Sequence, residues 1–192
     1  TKSGKVKEGD LSAILLNEFP FWVNYHRIPD LKTALMSEWE EKLERIAQQA
    51  VKENITNITG VPSWMLILLK QIIKISGKKN ILEVWPNIEL YMHGGVNFEP
   101  YRSQFEELIP SKKMNYLEAY NASEGLMGLQ DKSPSEGMLL MLDYGIFYEF
   151  LPMEKFSIGL MEAINLKDVE LNKKYAIVIS TNGGLWRYLI GD

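Results

Sequence analysis

The sequence contains no cysteine, which excludes disulfides and thiolate metal centres and fits a reducing cytoplasm. Histidine is nearly absent too. His26 and His93 stand far apart without metal-ligand spacing, and no G-x-S-x-G elbow supplies a nucleophile for either. No run of lysine and arginine exceeds a pair, and 21 basic against 25 acidic side chains leave a formal charge of -4. That balance argues against nucleic acid as a partner, because phosphate backbones attract a concentrated positive field. The longest apolar run, Trp64 to Leu69, ends at Lys70-Gln71, far short of the roughly 20 residues of a membrane span. The opening Thr1-Lys2-Ser3-Gly4-Lys5 leads into no apolar stretch and does not read as a signal peptide. Gly4-Lys5 and Gly77-Lys78 lie outside any G-x-x-x-x-G-K-[ST] frame, so there is no P-loop. What is present, 46% hydrophobic and 24% charged residues over 192 positions, suffices for a globular unit with a real core.

Periodicity organises that core. Leu31, Leu35, Trp39, Leu43, Ile46 and Ala50 recur at helical steps, predicting one helix from an Asp30 N-cap to about Glu53. A short β-branched strand, Ile55 to Thr59, precedes a helix that Pro62 opens and Gly77 ends. Ile88 to Met92 reads as a strand, Pro100 to Leu108 as a helix and Asn115 to Tyr120 as a strand. Met138 to Leu142 and Ile146 to Leu151 are expected to pair around Asp143-Tyr144-Gly145. Tyr175 to Thr181 and Leu185 to Leu189 are expected to pair around Asn182-Gly183-Gly184. The predicted fold class is α/β: a mixed sheet with flanking helices and an antiparallel β extension.

Three glycine-bearing segments follow predicted strands, where ligands of α/β sheets gather. In Tyr120-Asn121-Ala122-Ser123-Glu124-Gly125 a ring can stack on a purine, while a hydroxyl beside a carboxylate can hold a phosphate oxygen and a hard cation. The same residues also read as a helix start, with Asn121 as N-cap and Glu124 closing a capping box. In Gly184 to Asp192, Asp192 can accept ribose hydroxyls and Arg187 can approach a phosphate; an edge strand ending in a turn aspartate fits equally. Gly94-Gly95 lets a backbone approach a flat ligand, or forms an ordinary loop.

Taken together, Gly60-Val61-Pro62-Ser63-Trp64, Glu83-Val84-Trp85-Pro86-Asn87, His93-Gly94-Gly95-Val96, Tyr120 to Gly125 and Gly184 to Asp192 resemble the auxin-responsive Gretchen-Hagen family of acyl-acid amido synthetases. That family belongs to the adenylate-forming superfamily, and the resemblance covers nearly the whole chain. It implies a ligase that activates a small carboxylic acid with ATP as an acyl-adenylate and passes the acyl group to an amino acid. It implies that Tyr120 stacks on adenine against Gly94 and Gly95, with Asn121 and Ala122 in the nucleotide-binding segment. Ser123 would bond the α-phosphate, Glu124 would bind Mg²⁺, Asp192 would hold the ribose and Arg187 the ribose-phosphate side. Leu126 and Met127 would line the acyl pocket.

Two family features are missing from these 192 residues: a Ser/Thr/Gly-rich phosphate loop upstream, and the mobile C-terminal domain with its lysine. The chain also stops at Asp192 directly after the apolar Trp186-Arg187-Tyr188-Leu189-Ile190-Gly191. The expectation is that residues 1–192 are the central part of the adenylate-forming large domain, inactive alone and completed by the missing parts of their own chain. The rival readings are a non-catalytic scaffold of the same fold, and a ligase that passes the acyl group to coenzyme A.

Overall fold

The structure, a computed structural model, describes residues 11–132 and 137–191. It opens with helix α1 (Leu11–Glu18) and a 3₁₀ turn (Phe21–Tyr25), neither of which the periodicity predicts. The single helix expected from Asp30 to Glu53 is two, α2 (Leu31–Ala34) and α3 (Trp39–Ala50). Asp30 does cap α2, accepting from the Thr33 N–H at 3.0 Å. The break has a physical cause in Gln49. Its amide donates to the Asp30 carboxylate and to Thr33 Oγ1 (3.1 Å), and its oxygen accepts from the Asp30 N–H (3.2 Å). In one continuous helix those residues would stand about 28 Å apart, so the contacts exist only because the chain folds back. Hydrogen bonds from Thr33 and Gln49 hold the Asp30 carboxyl down at about 2. Asp30→Ala should therefore cost about 1 kcal/mol or somewhat more in chemical denaturation, the usual worth of a cap. Wild type should lose that increment as pH falls from 3.8 towards 2, and the variant should not.

Beyond the helices the parallel part of the sheet follows the expected alternation. Strand β1 (Asn57–Gly60) leads into α4 (Pro62–Ser76), which has proline in its first turn and Gly77 in the left-handed region at its end. Then come β2 (Leu90–His93), α5 (Glu99–Leu108) and β3 (Asn115–Ala122). Helices α3, α4 and α5 share one core built on Leu69, Ile72, Trp85, Tyr91 and Phe105. The Trp85 indole N–H donates to the Ala50 carbonyl at 2.8 Å, and the Tyr91 hydroxyl to the Gly60 carbonyl at 2.9 Å. Gly60 pairs with His93 and His93 with Glu118, so the carboxyl ends of β1 and β2 are flush. Strand β3 overshoots them from Ala119 to Ala122 and turns back as β4 (Gly125–Leu129), which pairs antiparallel with β5 (Leu139–Leu140).

The pairing of Met138 to Leu142 with Ile146 to Leu151 does not occur. Strand β5 closes the first sheet, and β6 (Ile146–Pro152) belongs to a second, antiparallel sheet of order β7-β6-β8-β9. The cause is length: β6 alternates its buried residues over seven positions, and only β8 (Tyr175–Thr181) can ladder along all of them, whereas β5 offers two. A short helix, α6 (Met153–Phe156), and β7 (Ile164–Asn165) follow β6. The last hairpin turns where expected, but its return strand β9 is only Tyr188–Leu189, because Arg187 takes a positive φ of 48° and interrupts it. Strand β9 is the sheet's edge, and Trp186 beside it is 81% exposed. Met127 of β4 packs with Ile146, Tyr148, Phe150, Ile179 and Ile190 in a second core between the sheets.

Candidate functional site

The segment Tyr120 to Gly125 is a hairpin tip. Ala122 pairs with Gly125, leaving Ser123 and Glu124 as a two-residue turn four strand residues beyond the flush ends of β1 and β2. No helix starts there, so the capping-box reading falls away. The register shifts between Tyr120 and Asn121, and such irregularities re-aim side chains near functional sites. Ser123 is exposed and Glu124 half-buried, and Glu124 makes no hydrogen bond or ion pair with another described residue.

Half-buried Tyr120 faces a cavity of about 450 Å³, the size of a small-ligand pocket, together with Phe156, Ile177, Leu189, Ile190 and Gly191. Tyr120 thus shares this cavity with the end of the Gly184 to Gly191 segment. Asp192, next in sequence, lies outside the described residues. Gly94 and Gly95 do not line that cavity, but Gly94 lies on the backbone of β3: a Cβ built on it would meet the Ala119 carbonyl oxygen at 2.3 Å, one residue before Tyr120. Gly95 follows with φ +81°.

The remaining candidates stand elsewhere. Ser123, Glu124, exposed Asn121 and buried Ala122 are at the tip and do not line the Tyr120 cavity. Arg187 pairs through Nε with Glu149 at 3.1 Å. Met127 is wholly buried in the second core, with its sulfur 3.8 Å from the Tyr148 hydroxyl, and Leu126 beside it is half-buried. Among the described residues no group of three or more His, Cys, Asp or Glu side chains could hold a metal by itself. A lone free carboxylate beside a hydroxyl suits instead a hard cation that takes most of its oxygens from phosphate and water.

The sequence reading assigned His93 no role beyond its place in His93-Gly94-Gly95-Val96. His93, set aside there as a metal ligand, ends β2 directly before the glycine pair, is 4% exposed, and stacks on Phe98 at 4.1 Å and 21°. The detectable signal is an aromatic residue five positions after a strand-end histidine. Burial, with Arg102 nearby, lowers the imidazole from 6.5 to about 4. Since the unfolded chain takes up this proton first, the contribution of His93 to folding stability should be constant above pH 6.5 and fall by about 3 kcal/mol between pH 6.5 and 4. Denaturant titrations across that window should show the slope in wild type and its loss in His93→Phe.

Comparison with known proteins places this architecture. Residues 2–114 match the model of the GH3 family N-terminal domain, and residues 139–192 match that of the GH3 family central domain. The chain belongs to the GH3 family. The Tyr120 to Gly125 hairpin falls between the two matched segments. An indole-3-acetic acid-amido synthetase of Arabidopsis thaliana, GH3.3, is 28% identical over 175 residues, covering 85% of this chain and 27% of the relative. The chain therefore spans little more than a quarter of the length of that GH3 relative. The solved GH3.15 acyl acid amido synthetase superposes with a TM-score of 0.63 at 14% identity, over 89% of this chain and 39% of that one. A 2-hydroxyisobutyryl-CoA ligase solved with 2-HIB-AMP and CoA gives 0.58 at 14%, over 81% and 34%. The chain shares its mixed α/β fold with part of each of these two solved proteins. No described helix is long and apolar enough to cross a membrane.

Proposed function

We propose that this chain is the adenosine- and magnesium-binding portion of an ATP-dependent acyl-acid amido synthetase of the cytoplasm. The observation that carries the reading is the free Ser123-Glu124 turn, held beyond the strand ends on the hairpin that also presents Tyr120 to a cavity shared with Gly191. In this reading Tyr120 stacks on adenine, the backbone of Gly94 and Gly95 lies along the base, and Asn121 and Ala122 carry the ring to the turn. Ser123 donates to the α-phosphate. Asp192 accepts from the ribose hydroxyls and Arg187 serves the ribose-phosphate side. Leu126 borders the acyl group, whereas Met127, expected beside it, is enclosed in the second core and presents no surface to a ligand. Glu124 holds Mg²⁺, which supplies charge stabilisation at the phosphate oxygens when bound.

The reaction begins with attack of a carboxylate oxygen on the α-phosphorus, expelling pyrophosphate and leaving an acyl-adenylate. The amine of an amino acid then attacks the acyl carbon, loses a proton and expels AMP, leaving an amide. Little covalent work falls to protein in the first step, which explains why the residues involved are donors, a carboxylate and glycines rather than a nucleophile.

Carboxylate-dependent ATP–pyrophosphate exchange tests the reading, using the product of the protein's own reading frame with a panel of aromatic and aliphatic acids. Exchange with at least one acid is the expected result, and its absence with all of them favours a scaffold role. Residues 1–192 alone should give none, since the family's phosphate loop is not in this sequence. Amino acids should then release AMP from the loaded protein where coenzyme A does not; the reverse preference would make it an acyl-CoA ligase.

A further inference from the structure

Gly94 and Gly95 belong to a short loop, residues 94–97, between β2 and α5. Among the described residues no backbone hydrogen bond closes this loop; the Asn97 side chain only accepts from the Glu99 N–H at 3.1 Å, at the start of α5. What brackets it is a pair of rings. His93 is the last residue before the loop and Phe98 the first after it, and they stack at 4.1 Å and 21°. Phe98 stacks in turn on Tyr116 of β3 at 5.2 Å and 27°, four residues before Tyr120. Arg102, paired with Glu99 at 2.7 Å, places its guanidinium 5.0 Å from the Phe98 ring centre. The column therefore ties the end of β2, the start of α5 and the strand that carries Tyr120.

Polar bonding does not hold this column. His93 Nδ1 and the Tyr116 hydroxyl are buried without a partner among the described residues. Leaving such atoms unsatisfied costs free energy, and groups of this kind call for an explanation beyond stability. The loop they bracket carries the glycine whose backbone lies on Ala119.

We propose that His93 is a positioning residue: its ring, stacked on Phe98, sets the Gly94-Gly95 backbone at the spacing from Tyr120 that an adenine ring needs. This rests on the adenylate reading of the site. The imidazole touches neither nucleotide nor acid, and acts through the loop alone. Face-to-face ring contacts fix both the height and the tilt of their partners, so removing one lets the loop sample positions in which the base fits less well.

The test measures AMP affinity and the ATP steady-state constants on the product of the protein's own reading frame, for wild type, His93→Ala and His93→Phe. His93→Ala should weaken AMP about tenfold and raise the ATP KM to match, with kcat within about twofold and inhibition by inorganic pyrophosphate unchanged. His93→Phe keeps the stack and removes the orphaned nitrogen. It should return AMP affinity to within about threefold of wild type and melt no lower. Equal weakening by alanine and phenylalanine would overturn the stacking role, as would loss of pyrophosphate inhibition in step with AMP binding. Wild-type protein that binds AMP, with His93→Ala binding it equally well, would refute the role of His93 alone. Wild-type protein that binds no AMP would refute the adenylate reading beneath it.

Discussion

Glu124→Gln should lower carboxylate-dependent ATP–pyrophosphate exchange by about two to three orders of magnitude, and leave the melting temperature almost unmoved. The two halves of that result have separate causes. Glutamine matches glutamate in size and backbone preference, and the native carboxylate bonds to no other described residue, so folding loses nothing that can be named. Chemistry loses the charge. A neutral amide is a poor ligand for Mg²⁺, and in the proposed reading the metal would stabilise charge that grows at the phosphate oxygens only on the way to the transition state. Loss of one preorganised electrostatic contact of that kind costs about 3 to 4 kcal/mol, which gives the expected factor. Because the loss falls on the transition state, kcat should drop while AMP binding, made through the ring and the ribose, stays within about threefold. A variant that exchanges at the wild-type rate would remove Glu124 from the metal assignment. A variant that melts several degrees lower would show a structural carboxylate instead.

Most of the α/β core was legible because its signals are local. Pro62 and Gly77 mark both ends of α4, and the strand, helix, strand order around Leu90–His93 and Asn115–Ala122 follows from period alone. The misreadings share one origin, competition between distant partners. Helical spacing runs unbroken through Leu35 and Trp39, so nothing local announces that Gln49 draws Asp30 back and splits the helix. Likewise Asp143-Tyr144-Gly145 looks like a hairpin turn, yet the chain leaves one sheet there and enters another, because β8 outbids β5 for the seven residues of β6.

Legibility at the site divides in the same way. Tyr120, Ser123 and Glu124 could be picked out by residue chemistry, but the residues alone favoured a helix start, and only the family resemblance favoured the nucleotide turn. Only the pairing of Ala122 with Gly125 decides that Ser123 and Glu124 form a turn rather than the first turn of a helix. The shared cavity of Tyr120 and Gly191 joins residues 71 positions apart, a distance no local pattern spans. The role of His93 was hidden for another reason. Its partner, Phe98, sits five positions on across a loop, a spacing that neither the strand nor the helix period singles out.

The second large effect belongs to the glycine pair, whose two members should fail differently. Gly94→Ala should lower the melting temperature by several degrees and weaken AMP binding at least tenfold, whereas Gly95→Ala, with a comparable loss of stability, should weaken AMP binding appreciably less. A Cβ at position 94 would meet the Ala119 carbonyl oxygen at 2.3 Å, well inside van der Waals contact, and that oxygen is main chain of a paired strand. It cannot turn aside as a side chain can. Either the loop lifts off β3 or the strand shifts, and overpacking of that kind costs about 1–3 kcal/mol. Whichever moves, the spacing between the glycine backbone and Tyr120 changes, so the loss of stability and the loss of affinity have one cause. At Gly95 the space is open, the nearest atom being Val61 Cγ2 at 3.5 Å, and the cost is that of φ +81°, about 1–2 kcal/mol for an L-residue. That strain is local and can relax into the exposed side of the loop. Thermal melts and AMP titrations on the two variants separate these cases. Equal losses of AMP affinity at 94 and 95 would mean that the Gly94 contact with Ala119 does not set the spacing to Tyr120, and would detach the glycine pair from the proposed nucleotide site.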